Sequence, residues 1–268
     1  MNLADSASIV ATSAVGSLVP DNLKANYKSL VWRSVGLEET LTITLPAYEF
    51  VTCVALLWNN LTVEADARVV VSHEGAITHD SGWSLANPPG GFSDFAWGQE
   101  GLGQNHHYLR TVAPAYTVVW LPEGTGGSEV TISVRDLQNP AGYIEASRVL
   151  VGQHWSPEIT ADLGVQVHNE DTSRHSRTES GDLRTLQRVR QKSLSFSLSS
   201  LNADEGEELA TLLRYVGKSS PVLISLYPEH DDVNLERMYQ VFGKLATTQP
   251  ISTPGFNTRQ ARITAEEL

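Results

Sequence analysis

"LTITLP", residues 41–46, decides how the first half of this chain folds. Leu41, Ile43 and Leu45 alternate with Thr42 and Thr44. Successive side chains of a strand point to opposite faces, so the apolar set lines one face and the threonines the other. The same period returns in "VTISV", residues 130–134, through Val130, Ile132 and Val134. Both stretches read as half-buried antiparallel strands. Working outward, "VTCVALLW" (51–58), "ARVVVS" (67–72), "YTVVWL" (116–121) and "YIEASRVLVG" (143–152) are further strand candidates, with "NPPGG" and "EGTGGS" as turns between them. Many short strands without a long helix indicate a β-sandwich or barrel. The first domain is placed at residues 24–155, behind an N-terminal extension of residues 1–23.

The chemistry changes after Trp155. A strand is expected through Leu163, Val165 and Val167, then a polar loop, then one long strand over residues 183–198 that is apolar at Leu194, Phe196 and Leu198. The clear helix follows in "NADEGEELATLLRYVGK". Asn202 is its N-cap, Glu205 stands at the third helical position, and Leu209, Leu212, Leu213 and Val216 form an apolar stripe ending at Gly217. The strands "PVLISLYP" and "MYQVFGKL" and a tail ending in "ARITAEEL" complete a small α+β domain over residues 156–268.

Length and composition suit an ordinary globular chain: 268 residues, 41% hydrophobic and 19% charged, enough for two cores. The N-terminus has no basic region ahead of an apolar one, and the longest apolar run, residues 51–58, is too short to span a bilayer. Neither an exported precursor nor a membrane-inserted protein is expected. The single cysteine, Cys53, precludes an internal disulfide and reads as a small core residue. The "NLT" at Asn60 matches a glycosylation acceptor only formally.

Against a net charge of −12, "RHSRTESGDLRTLQRVRQK" (174–192) holds six of the 19 basic residues and only two acids, so everything else sums to −16. Nucleic acid is disfavoured, because the overall field repels phosphate. A solvated loop and an arm that docks on acidic neighbours, including copies of the same chain, remain. Parity favours the arm. On a continuous strand Arg184, Leu186, Arg188, Arg190 and Lys192 share a face with Leu194, Phe196 and Leu198, so one face turns from basic to apolar. A protruding β-arm over residues 168–192 follows, with Arg184, Arg188, Arg190 and Lys192 as intersubunit contacts. A bulge near Gln191 would swap the faces.

Two stretches carry a resemblance. "VWRSVGLEETLTITLPAYEFVTCVALLWNNLTVEADARVVVS" (31–72), closed by "YIEASRVLVGQHWSPE" (143–158), is similar to the galactose-binding-like jelly rolls of tail-tip proteins from long-tailed bacteriophages. "RTLQRVRQKSLSFSLSSLNADEGEELATLLRYVGKSSPVLISLYP" (184–228) resembles the strand–helix–strand module of distal-tail and minor-tail proteins. The resemblance implies a structural virion subunit, made in the host cytoplasm. It would form a ring, trimeric or hexameric, that joins the tail tube to hub and tip proteins. The arm would then meet a neighbour's acidic surface.

Residues for chemistry are scarce. His73 and His79, with Glu74 and Asp80, lack metal-ligand spacing, "GQEGLGQ" lacks the Lys-Ser/Thr of a phosphate loop, and no Gly-x-Ser-x-Gly is present. No catalytic residue, metal or cofactor is assigned, and an enzyme is not expected. The rival reading is sugar binding. Trp83, Trp97, His106, His107 and Tyr108 lie in one aromatic, glycine-rich segment suited to stacking a sugar ring or packing against a neighbour. The expectation is a mainly β tail-tip subunit, with a carbohydrate-binding module contacting the host surface as the alternative.

Overall fold

The alternating stretch lies in strand β3 (Glu38–Phe50), where Leu41, Ile43 and Leu45 are no more than 4% exposed. The structure is a computed structural model and describes residues 2–88, 116–188, 190–229, 233–247, 250–255 and 257–268. The chain divides into two compact units, Met1–Trp155 and Ser156–His230 with Leu235–Leu268.

In the first unit β3 has β1 (Ser8–Ala11) on one side and β9 (Gly126–Arg135) on the other. The sheet continues through β5 (Asp66–His73) to β6 (Ala76–Asp80), with β7 (Ser84–Leu85) also on β5. A three-stranded sheet orders β11 (Arg148–Gly152), β4 (Cys53–Leu57) and β8 (Tyr116–Trp120), and a two-residue pair joins β2 (Trp32–Arg33) to β10 (Glu145–Ala146). The chain passes from one main sheet to the other between β3 and β4, between β4 and β5, between β7 and β8, between β8 and β9, and from β9 by way of β10 to β11. Every pairing is antiparallel. That course is a jelly roll. Trp32, Leu41, Ile43, Val54, Leu56, Val69, Val71, Val130, Ile132 and Val149 pack its core.

Two expectations change here. Residues 1–23 are not an extension. β1 pairs with β3, and Ala4, Ala7, Ile9 and Leu23 join the core, because β3 needs a neighbour on its outer edge. Arg148, 1% exposed, pins this segment through Asp5 and the carbonyls of Leu23 and Lys24. The stretch 143–152 is two strands, β10 and β11, rather than one. Asn60 is committed internally: its amide donates to the Tyr143 carbonyl at 3.0 Å and accepts from the Glu145 N–H at 2.8 Å.

The second unit is a sheet ordered β12 (Gln166–Asp171), β15 (Arg190–Leu201), β19 (Thr258–Glu267), β17 (Gln240–Leu245) and β16 (Val222–Ser225), with β18 (Ser252–Gly255) on β19. The helix Ala203–Val216 has the expected reciprocal cap: Asn202 accepts from the Glu205 N–H at 2.9 Å, and Glu205 accepts from the Asn202 N–H at 2.8 Å. Leu209 and Val216 are buried, whereas Leu212 and Leu213 are half-buried. The C-terminal segment is no tail, since β19 pairs with β15, β17 and β18. The expected strand through Leu163 starts only at Gln166, and Leu163 is exposed.

The single strand over residues 183–198 is also corrected. β13 (Arg174–Arg177) and β14 (Leu183–Leu186) form their own two-stranded ladder, pairing Arg174 with Leu186, before β15 begins at Arg190 opposite Asp171. Between these two ladders the register slips by one residue. The parity that linked Arg184 to Leu194 is therefore broken.

Candidate functional site

At one rim of the jelly roll Phe50, Thr52, Glu123, Gly124, Gln153 and His154 line an open cleft of about 370 Å³. The backbone explains the convergence. Val51, fully buried, follows β3; its N–H donates to the Thr125 carbonyl, that of Thr52 to Gly152, and that of Leu121 to Thr52, each at 2.9 Å. The Thr52 hydroxyl accepts from the His154 N–H at 2.8 Å, drawing the chain after β11 across the same rim. The turn 122–125 closes with Thr125 N–H on the Pro122 carbonyl at 3.2 Å and Gly124 at φ +84°. A type II turn requires that left-handed conformation at its third position, where only glycine is unstrained. Glu123, beside it, is exposed.

Three ring contacts frame the cleft. Tyr48 meets Phe50 edge to face at 5.8 Å between centroids and His73 at 4.9 Å. Trp120 holds the His154 ring edge to face at 5.5 Å. Phe50 remains 49% exposed. The Trp120 indole N–H is buried and has no acceptor among the described residues. The cleft thus offers an apolar ring surrounded by a carboxylate, an amide, a hydroxyl and an imidazole. Among the described residues its lining contains one carboxylate and no lysine or arginine.

Of the expected aromatic segment, Trp83 is described and Trp97, His106, His107 and Tyr108 lie outside the described residues. Trp83 is 39% exposed, and one indole face is taken by the Arg135 guanidinium at 4.4 Å, itself paired with Asp66 at 2.8 Å. It lies apart from the cleft lining. Sequence reasoning missed Phe50, Glu123, Gln153 and His154, whose only local cue was the glycine-bearing turn.

The expected arm residues separate into two groups. Arg184 lies on β14 and Arg188 just beyond it, both exposed, and the Arg188 N–H donates to Ser173. Arg190 pairs with Asp171 of its own unit at 3.2 Å. Lys192 is a correction, because it is no free contact: its ammonium donates to the Arg237 and Gln240 carbonyls at 2.7 and 2.9 Å, and burial pushes it down to about 8. Cys53 is partly buried, and burial pushes its thiol up to about 12. His73 contacts Ser128 at 3.1 Å, and among the described residues no group of three or more His, Cys, Asp or Glu is placed to hold a metal ion. Among them, too, no helix is long and apolar enough to cross a membrane.

Comparison with known proteins returns solved structures alone. Several are carbohydrate-binding modules. A family 32 module from C. perfringens NanJ in complex with galactose is 13% identical, with a TM-score of 0.39, covering 56% of this chain and 96% of its own. A Streptococcus pneumoniae fucose binding module is 9% identical, with a TM-score of 0.38 and coverages of 57% and 96%. A chitosan-binding module from a Paenibacillus sp. IK-5 chitosanase/glucanase is 14% identical, with a TM-score of 0.38 and coverages of 57% and 99%. No protein-family model matches the chain, and no curated protein matches it.

Proposed function

We propose that the first unit is a non-catalytic carbohydrate-binding jelly roll and that the Phe50 cleft is its sugar site. The observation that carries this reading is the exposed Phe50 ring set among Glu123, Gln153, Thr52 and His154. A pyranose has an apolar C–H face and a rim of hydroxyls. An aromatic ring with convergent polar groups at its edge complements both. Binding without cleavage fits the single carboxylate, since glycoside hydrolysis generally uses two across the scissile bond. A glycan array of the full chain, followed by titration calorimetry, tests the reading. Phe50→Ala and Glu123→Gln should each weaken binding by about tenfold, on the order of 1.4 kcal/mol, with unchanged circular dichroism. Wild-type protein that binds no glycan overturns the function; variants that bind like wild type overturn the cleft.

A second reading, favoured by the exposed two-stranded ladder of the second unit, makes the chain a structural subunit of a phage tail-tip ring. A reconstruction of the virion that counts copies of the chain tests it.

A further inference from the structure

Among the described residues the β13–β14 ladder is a sheet of two strands, and all eight of its strand residues are exposed. A two-stranded hairpin has too little buried surface to be stable alone in water. Its turn is internally braced: the Thr178 N–H donates to the Asp182 carbonyl at 3.0 Å, that of Gly181 to Thr178 at 2.9 Å, and the Arg177 guanidinium to the Gly181 carbonyl at 3.0 Å. Leu183 and Leu186 are 56% and 61% exposed. Arg174, Arg177, Arg184 and Arg188 form no ion pair among the described residues, whereas Arg190 and Lys192 at the base are satisfied within the unit.

Positive charge is thus left unneutralised on a ribbon that its own unit does not cover among the described residues, in a chain whose residues outside 174–192 sum to −16. From this juxtaposition we infer that the ribbon docks on the acidic surface of a second copy of this chain, with Arg174, Arg177, Arg184 and Arg188 as its carboxylate-binding groups. Arginine suits such a contact because its guanidinium stays charged when partly desolvated and grips carboxylate with two parallel bonds. Leu183 and Leu186 would add apolar contact within the same footprint. Like charge keeps the bodies of two copies apart, so the ribbon is the part of the surface that attracts a neighbour. The inference rests on the second reading above and names the contact by which its subunits join.

Mass photometry and sedimentation of the full chain at low salt and at about 1 M, where the Debye length is about 3 Å, provide the test. The expected result is an oligomer at low salt that dissociates as salt rises. Arg184→Glu with Arg188→Glu should weaken association more than about thirtyfold, with an unchanged dichroism spectrum. Arg184→Lys keeps the charge and adds an amine. Carbodiimide treatment of that variant, mixed from unlabelled and nitrogen-15 protein, should yield cross-linked peptides of mixed isotope from position 184 to a carboxylate. A chain that is monomeric under every condition overturns both the inference and the ring. An oligomer indifferent to the double reversal, without mixed-isotope links, overturns the ribbon contact alone. Tight, salt-sensitive binding to DNA with no self-association overturns it in favour of nucleic acid.

Discussion

Lys192 couples the stability of the second unit to pH. Its ammonium is bound to two backbone carbonyls with Glu267 nearby, yet desolvation dominates and pushes it down from 10.5 to about 8. Between those values the unfolded chain holds a proton that the folded chain has released, so stability rises with pH there; below about pH 8 both states carry the proton and the full cost of burying the charge stands. Lys192→Met should lack this dependence. Thermal unfolding of both proteins from pH 7 to 10 should show the wild type gaining on the variant, and parallel curves would assign the buried charge elsewhere. Cys53 behaves differently: with its thiol pushed up to about 12, it should react with a maleimide only on unfolding.

Among the strands, Gly243 marks the tightest approach. A Cβ there would lie 2.0 Å from the Glu266 carbonyl oxygen, on the neighbouring strand β19, which has no flexible end to move aside. Gly243→Ala should therefore destabilise the second unit by about 1–3 kcal/mol, as overpacking does, measured by urea unfolding. Asn202→Ala, which removes a cap from the helix, should cost about 1 kcal/mol. The two sites differ in legibility. The cap was readable because Asn202 and Glu205 meet within one helical turn, whereas the need for glycine at position 243 arises from a strand more than twenty residues away.

The division at Trp155 concerns the chain as a whole. Residues 156–165 lie outside any strand or helix and are largely exposed, so limited proteolysis of the full chain should cut there first and leave two resistant fragments. Cleavage concentrated inside β3 instead would show that the units do not hold independently. The glycan cleft, if it lies where proposed, should survive the cut, because all its lining residues precede Ser156.

Local pattern was enough to define the strands around Leu41 and Val130, the faces they bury, and the capped helix, because alternation and capping are relations among residues two or three positions apart. Pairing between distant segments settled everything else. It placed residues 1–23 in the sandwich and made Thr258–Glu267 a shared strand. It also slipped the register between Leu186 and Arg190, so that Arg184 lost the parity it would have shared with Lys192, whose ammonium is bound to the Arg237 and Gln240 carbonyls. Phe50, Glu123 and His154 carry no common motif. They meet because β3, the β8–β9 turn and the chain beyond β11 end at one rim, and a rim shared by segments about seventy and thirty residues apart has no signature in any local stretch of the chain.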